Sequence, residues 1–93
     1  MPTDRMAVDA NVLVYAVYRD APQHAASRAW LERAGRGEVK ICLTSQVLAE
    51  FFAIVTNPKR VSNPRSPDDA VTAIETVLAL PGAATLPVSA EVT

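Results

Sequence analysis

Met6-Ala7-Val8 is a short apolar run that stops at Asp9, and it resumes as Val12-Leu13-Val14-Tyr15-Ala16-Val17. Valine dominates, so composition alone would allow one long strand over 6–17. Asp9 and Asn11 argue otherwise, because both residue types disfavour strand interiors and favour turns and helix starts. The pattern therefore predicts a strand at about 6–9 and a short helix at about 11–18. Asp20-Ala21-Pro22-Gln23 fits a capping box with Pro in the first turn. The helix it opens carries Ala26, Trp30, Leu31 and Ala34 on one face and ends at Gly35 and Gly37. Val39 to Leu43 reads as a second strand. Thr44 and Ser45 are cap candidates for a helix at about 46–57, whose apolar arc is Val47, Leu48, Phe51, Phe52, Ile54 and Val55 and which Pro58 ends.

Residues 58–66 read as a loop with Pro58, Asn63 and Pro64. Ser66-Pro67-Asp68-Asp69 opens a last helix, running to about Leu80 with Val71, Ile74, Val77 and Leu78 on its apolar face. Pro81-Gly82 stops it, Ala84 to Val88 is a third strand candidate, and Ser89-Ala90-Glu91 looks like another helix start. Strands alternating with helices imply a layered α/β fold with a parallel sheet flanked by helices. Three strands and a final cap with almost no helix after it suggest the front portion of a longer α/β domain.

Composition narrows this further. Forty-six of 93 residues are apolar, 49% of the chain, which is too many for a disordered chain. The length allows one domain, spanning 1–93. The longest uncharged stretch, Thr76 to Ala90, is broken by Pro81, Gly82 and Pro87 and is too short to span a bilayer. No signal-peptide core follows Met1, and a single cysteine forms no internal disulfide. These features point to a cytoplasmic protein that does not engage a membrane. A net charge of −1 argues against a strongly electrostatic nucleic-acid binder, but it leaves room for a nuclease that meets phosphate through metal ions.

In an open parallel sheet, ligands bind outside the carboxyl ends of the strands. Asp9 ends the first strand there, and Glu50 lies about one turn into the helix after the second. Two carboxylates at one edge could hold Mg²⁺ or Mn²⁺, which prefer oxygen ligands, with Asn11 orienting Asp9 or a bound water. Equally, Asp9 and Asn11 could cap the first helix, with Glu50 a plain exposed helix residue. Asp68 and Asp69 read as first-turn residues that satisfy the helix dipole. His24, the only histidine, lies four residues after Asp20, which is better explained as a cap. Cys42, Trp30, Phe51 and Phe52 read as core, while Tyr15 and Tyr18 are undecided. Lys59, Arg60 and Arg65 fall within seven positions free of acid and could touch an RNA phosphate backbone, although a solvated loop is the plainer reading.

Met6-Ala7-Val8-Asp9-Ala10-Asn11-Val12-Leu13-Val14-Tyr15 resembles the opening of PIN domains, in which a hydrophobic strand delivers an Asp followed two positions later by Ser, Thr or Asn. Leu43-Thr44-Ser45-Gln46-Val47-Leu48-Ala49-Glu50-Phe51 resembles the family's second signature. The pattern is most similar to VapC-type toxins of toxin–antitoxin pairs. That resemblance implies a Mg²⁺- or Mn²⁺-dependent ribonuclease with Asp9 and Glu50 as catalytic metal ligands and Asn11 assisting. It also implies an RNA substrate, a VapB-like antitoxin and a homodimer. The family's third acid, and often a fourth, come from a later helix and strand end. Glu91, Asp68 and Asp69 do not match those positions, so the domain is expected to be incomplete at its C-terminus. The alternatives are an inert PIN remnant that only binds an antitoxin or itself, and an unrelated α/β fragment.

Overall fold

The computed structural model describes residues 5–86. Its elements are β1 (Arg5–Ala7), α1 (Ala10–Val17), α2 (His24–Gly35), β2 (Lys40–Thr44), α3 (Ser45–Val55), α4 (Pro67–Leu78) and β3 (Ala83–Leu86). The strands form one parallel sheet in the order β1-β2-β3, the parallel α/β architecture expected from the alternation of elements. Ala7, Cys42 and Ala84 share one row across it. The helix start expected at Ser89, and the end of the third strand at Val88, lie outside the described residues.

Each crossover in this sheet carries a helix pair and advances in the same direction. Right-handed connections of that kind place all four helices on one face. Burial along β2 agrees: Ile41 and Leu43 are fully buried, Cys42 and Thr44 are half-buried, and Lys40 is exposed. Val39, Ile41 and Leu43 pack with Leu13, Phe51 and Val55 into the core. Cys42 belongs to the opposite, partly exposed face, so it is not the core residue expected from its apolar strand.

Local chemistry explains most of the helix boundaries. Thr44 caps α3 by accepting from the Val47 N–H at 3.0 Å, and Ser66 caps α4 by accepting from the Asp69 N–H at 3.1 Å. The second helix departs from the sequence expectation. It begins at His24 after Gln23, which makes no side-chain cap bond, and Asp20 lies in the preceding turn. With Asp20 as cap, Ala21 would be the first helical residue and would stand directly before Pro22, whose ring disfavours the α conformation there. The chain instead makes two successive turns, Ala21 N–H to Tyr18 O at 3.1 Å and His24 N–H to Ala21 O at 3.0 Å.

Two helix faces are rotated from the expected arcs. In α2, Ser27 and Ala34 are buried with Trp30 and Leu31 half-buried, while Ala26 is exposed. In α4, Ala70 is buried, Ala73, Ile74 and Val77 pack against the core, and Val71 and Leu78 are exposed at 45% and 38%. The side of α4 that carries Ala70, Ala73, Ile74 and Val77 faces the core, and Val71 and Leu78 lie outside it.

Candidate metal centre

Asp9 reaches its position because β1 ends at Ala7 and the chain must turn into α1. It caps α1 in an extended conformation, φ −75° and ψ 150°, and its Oδ1 accepts from the Asn11 N–H at 3.4 Å. That distance is long for a cap bond, and the carboxylate is exposed, so its oxygens face solvent with little competition. The Asn11 amide that meets Asp9 is the backbone one; the Asn11 side chain is exposed.

Glu50 arrives by the equivalent route from the neighbouring strand. β2 ends at Thr44, α3 starts at once, and Glu50 is its sixth residue, roughly 8 Å along the axis. Core residues Phe51 and Val55 hold α3 down, which leaves Glu50 exposed. β1 and β2 are adjacent and parallel with Ala7 opposite Cys42, and the Val8 N–H donates to Cys42 O at 3.3 Å. Asp9 and Thr44 therefore leave neighbouring strands at the same level, and the helices they cap, α1 and α3, pack against each other. The two carboxylates sit on one packed helix pair that grows from one sheet edge.

Oxygen donors of this kind suit Mg²⁺ or Mn²⁺. Mg²⁺ in particular keeps several waters and takes one or two protein carboxylates. Among the described residues, no three His, Cys, Asp or Glu side chains converge on a common point. The donor chemistry fits a divalent cation, and the donor count fits weak binding.

The other candidates fall elsewhere. His24 is half-buried and donates its Nδ1–H to Tyr15 O at 2.9 Å, which ties the start of α2 to α1. Asp68 and Asp69 occupy the exposed first turn of α4. Lys59 and Arg60 are exposed in the turn after α3. Arg65 is different: it is half-buried, with its guanidinium 5.0 Å from the centroid of the Tyr18 ring. Tyr18 also donates its hydroxyl to Asn63 O at 2.9 Å, so it pins the 57–65 loop against α1. Tyr18 and Asn63 lie 45 residues apart, and no local pattern announces the contact.

The family model of the PIN domain matches residues 6–93. Ribonuclease VapC43 of Mycobacterium tuberculosis is 42% identical over 78 residues, covering 84% of this chain and 53% of that protein. Ribonuclease VapC24 of the same organism is 38% identical over 72 residues, covering 76% and 48%. Ribonuclease VapC33, also from M. tuberculosis, is 33% identical over 73 residues, covering 78% and 51%. The chain thus spans about half the length of the curated relatives it matches. Both sequence signatures, the parallel sheet and the carboxylate-bearing helices at its edge fall inside the matched region, and the chain belongs to the PIN domain family.

Proposed function

We propose that this chain carries Asp9 and Glu50 as part of the active centre of a metal-dependent endoribonuclease, acting in the cytoplasm on RNA phosphodiesters. One observation carries the reading: two exposed carboxylates leave adjacent parallel strands on a packed helix pair, in a chain similar to proteins named as VapC ribonucleases. Asp9 and Glu50 would hold Mg²⁺ or Mn²⁺, and Asn11 would orient Asp9 through its backbone amide. A divalent cation so held supplies Lewis acidity and an activated water for phosphodiester hydrolysis. Lys59, Arg60 and Arg65 would meet RNA phosphates. The proposed partners are a VapB-like antitoxin and a second copy of the chain; Val71 and Leu78, exposed on α4, support an apolar contact with one of them. Among the described residues, no helix is long and apolar enough to cross a membrane.

A second reading rests on the donor count. With two carboxylates and no third acid beside them among the described residues, these 93 residues would bind a partner without cleaving RNA. The two readings separate in one experiment. Mg²⁺-dependent cleavage of a mixed RNA pool is compared for this chain, for the chain extended to its relatives' length, and for the extended chain with Glu50→Gln. The nuclease reading expects strong cleavage by the extended chain and its loss with Glu50→Gln. An extended chain without activity would support the binding reading, and activity that survives Glu50→Gln would remove Glu50 from the site. Mn²⁺ titration adds a readout independent of turnover: weak binding by the wild-type chain should vanish in Asp9→Asn, which keeps the cap because Asn serves as well there.

A further inference from the structure

A hollow of about 530 Å³ lies between the C-terminal turn of α1 and the 57–65 loop, lined by Tyr15, Tyr18, Arg19, Arg60, Asn63 and Arg65 among others. Its residues come from two segments some forty positions apart. Arg19, Arg60 and Arg65 form no ion pair among the described residues, whereas Arg28, Arg33 and Arg36 are each engaged by Glu32 or Glu38. A second groove adjoins it, shares Arg19 and Arg65, and adds Arg28 and His24 with no acid in its lining. Asp20 is the one acid that lines either hollow. A chain of net charge −1 therefore gathers four of its nine basic residues around two adjoining hollows, three of them in the first.

The wall is prearranged. Arg60 N–H and Val61 N–H both donate to Asn57 O, at 2.9 and 3.1 Å, and Arg65 N–H donates to Val55 O at 2.7 Å. The Tyr18 hydroxyl holds Asn63 from the other side. The Arg65 guanidinium lies 5.0 Å from the centroid of the Tyr18 ring, a contact that favours this orientation beside the hollow. Guanidinium groups match phosphate oxygens with paired N–H bonds, and aromatic side chains among cations are the pattern that binds single-stranded nucleic acid.

We infer that this hollow binds the backbone of single-stranded RNA, with Arg19, Arg60 and Arg65 on phosphates and Tyr15 beside a base. The inference rests on RNA as the substrate of the proposed function, but separate residues carry it. Arg19 and Tyr15 join the site only through tertiary structure. Lys59, though adjacent in sequence, does not line the hollow. The strand would run from the Asp9 end of α1 toward its C-terminal turn, about 12 Å for eight residues.

The test is fluorescence anisotropy with a labelled mixed-sequence single-stranded RNA 12-mer in EDTA, where cleavage plays no part. The variants are Arg19→Gln, Arg60→Gln, the double variant, Tyr15→Leu, Tyr15→Phe and Lys40→Gln. Each phosphate contact contributes about 0.7 to the slope of log affinity against log salt, so the double variant should lose about 1.4 from that slope. Between 50 and 200 mM salt, that is about sevenfold less weakening than wild type. Tyr15→Leu should bind at least about fivefold more weakly, while Tyr15→Phe keeps the stacking face. Lys40→Gln, exposed on β2, should match wild type. Unchanged slope and affinity in the double variant would overturn the assignment. So would loss of binding to a poly-glutamate peptide with RNA binding intact, which would make the hollow a site for an acidic protein segment. Because Asp9 and Glu50 take no part in metal-free binding, a negative cleavage assay leaves this result readable, and a negative result here leaves the cleavage assay readable.

Discussion

Replacing Gly82 by alanine should remove a large part of the folding stability, and the geometry says why. Gly82 is buried where the chain leaves α4 and enters β3. A Cβ there would overlap the Val39 carbonyl oxygen, lie 2.9 Å from Ala34 O and come within 3.1 Å of Ala34 Cα. All three are backbone atoms, so no rotamer change relieves the contact. Gly82 N–H donates to Ala34 O at 2.9 Å and Gly82 O accepts from Ile41 N–H at 2.8 Å, and retreat from the overlap stretches both bonds. Overpacking costs about 1–3 kcal/mol, and one buried polar group left open costs about 1–3 kcal/mol more. A total near 4 kcal/mol is a large part of the roughly 5–14 kcal/mol expected for 93 residues. In urea, with a slope of about 1–2 kcal/mol per molar, the midpoint should fall by about 2–4 M. Gly37→Ala is the comparison: its φ is 75° with nothing within 4 Å, so only backbone strain of about 1–2 kcal/mol applies. Circular dichroism through urea titrations of both variants decides the matter. A Gly82→Ala midpoint within 0.5 M of wild type, on the order of 0.5–1 kcal/mol, would refute the reasoning.

Thr44→Ala removes the α3 cap and leaves the Val47 N–H open, so stability should drop by about 1 kcal/mol, read as a lower urea midpoint with helix content otherwise intact. Tyr18→Phe deletes the hydroxyl bond to Asn63 O, which should cost about 1 kcal/mol and speed amide exchange in the 57–65 loop; equal exchange would show that the loop holds itself. Leu43, fully buried in β2, should cost about 3 kcal/mol on truncation to Ala, checked by thermal melting. The Arg36 guanidinium, 2.6 Å from Glu38, holds that carboxyl below its usual range, so the stability it adds is present above the ordinary carboxylate pKa and is lost as pH falls through the lowered one. Both groups are fully exposed, and solvent screening keeps the effect small. Melting curves of Glu38→Gln and wild type at pH 7 should therefore nearly coincide, and a large gap would show that the turn depends on the pair.

Much of this protein could be read along the chain, where the governing physics is local. Ser66 and Thr44 announce their helices because a side-chain oxygen three residues before an amide is a complete cap. Alternation of valine-rich runs with helical periods gave the parallel α/β sheet, and the strands' carboxyl ends pointed to Asp9 and Glu50. Helix faces were less legible. Periodicity assigns Val71 and Leu78 to the inside of α4, but in the fold the side with Ala70 and Ala73 faces the core. The α2 start falls later than the capping pattern predicts, because Pro22 acts on the residue before it as well as on its own N–H. Of the arginine-lined hollow, the acid-free stretch with Arg60 and Arg65 is legible in the sequence, but the addition of Arg19 and Tyr15 is not. Arg19 and Arg60 line one hollow only because α1 and α3 pack side by side and Tyr18 bonds the loop that follows α3. Local sequence decides what each segment becomes, since caps and periods act over three or four residues. Which distant cations share a surface is decided by packing, because Coulomb and hydrogen-bond contacts depend on distance in space, and the fold alone sets that distance.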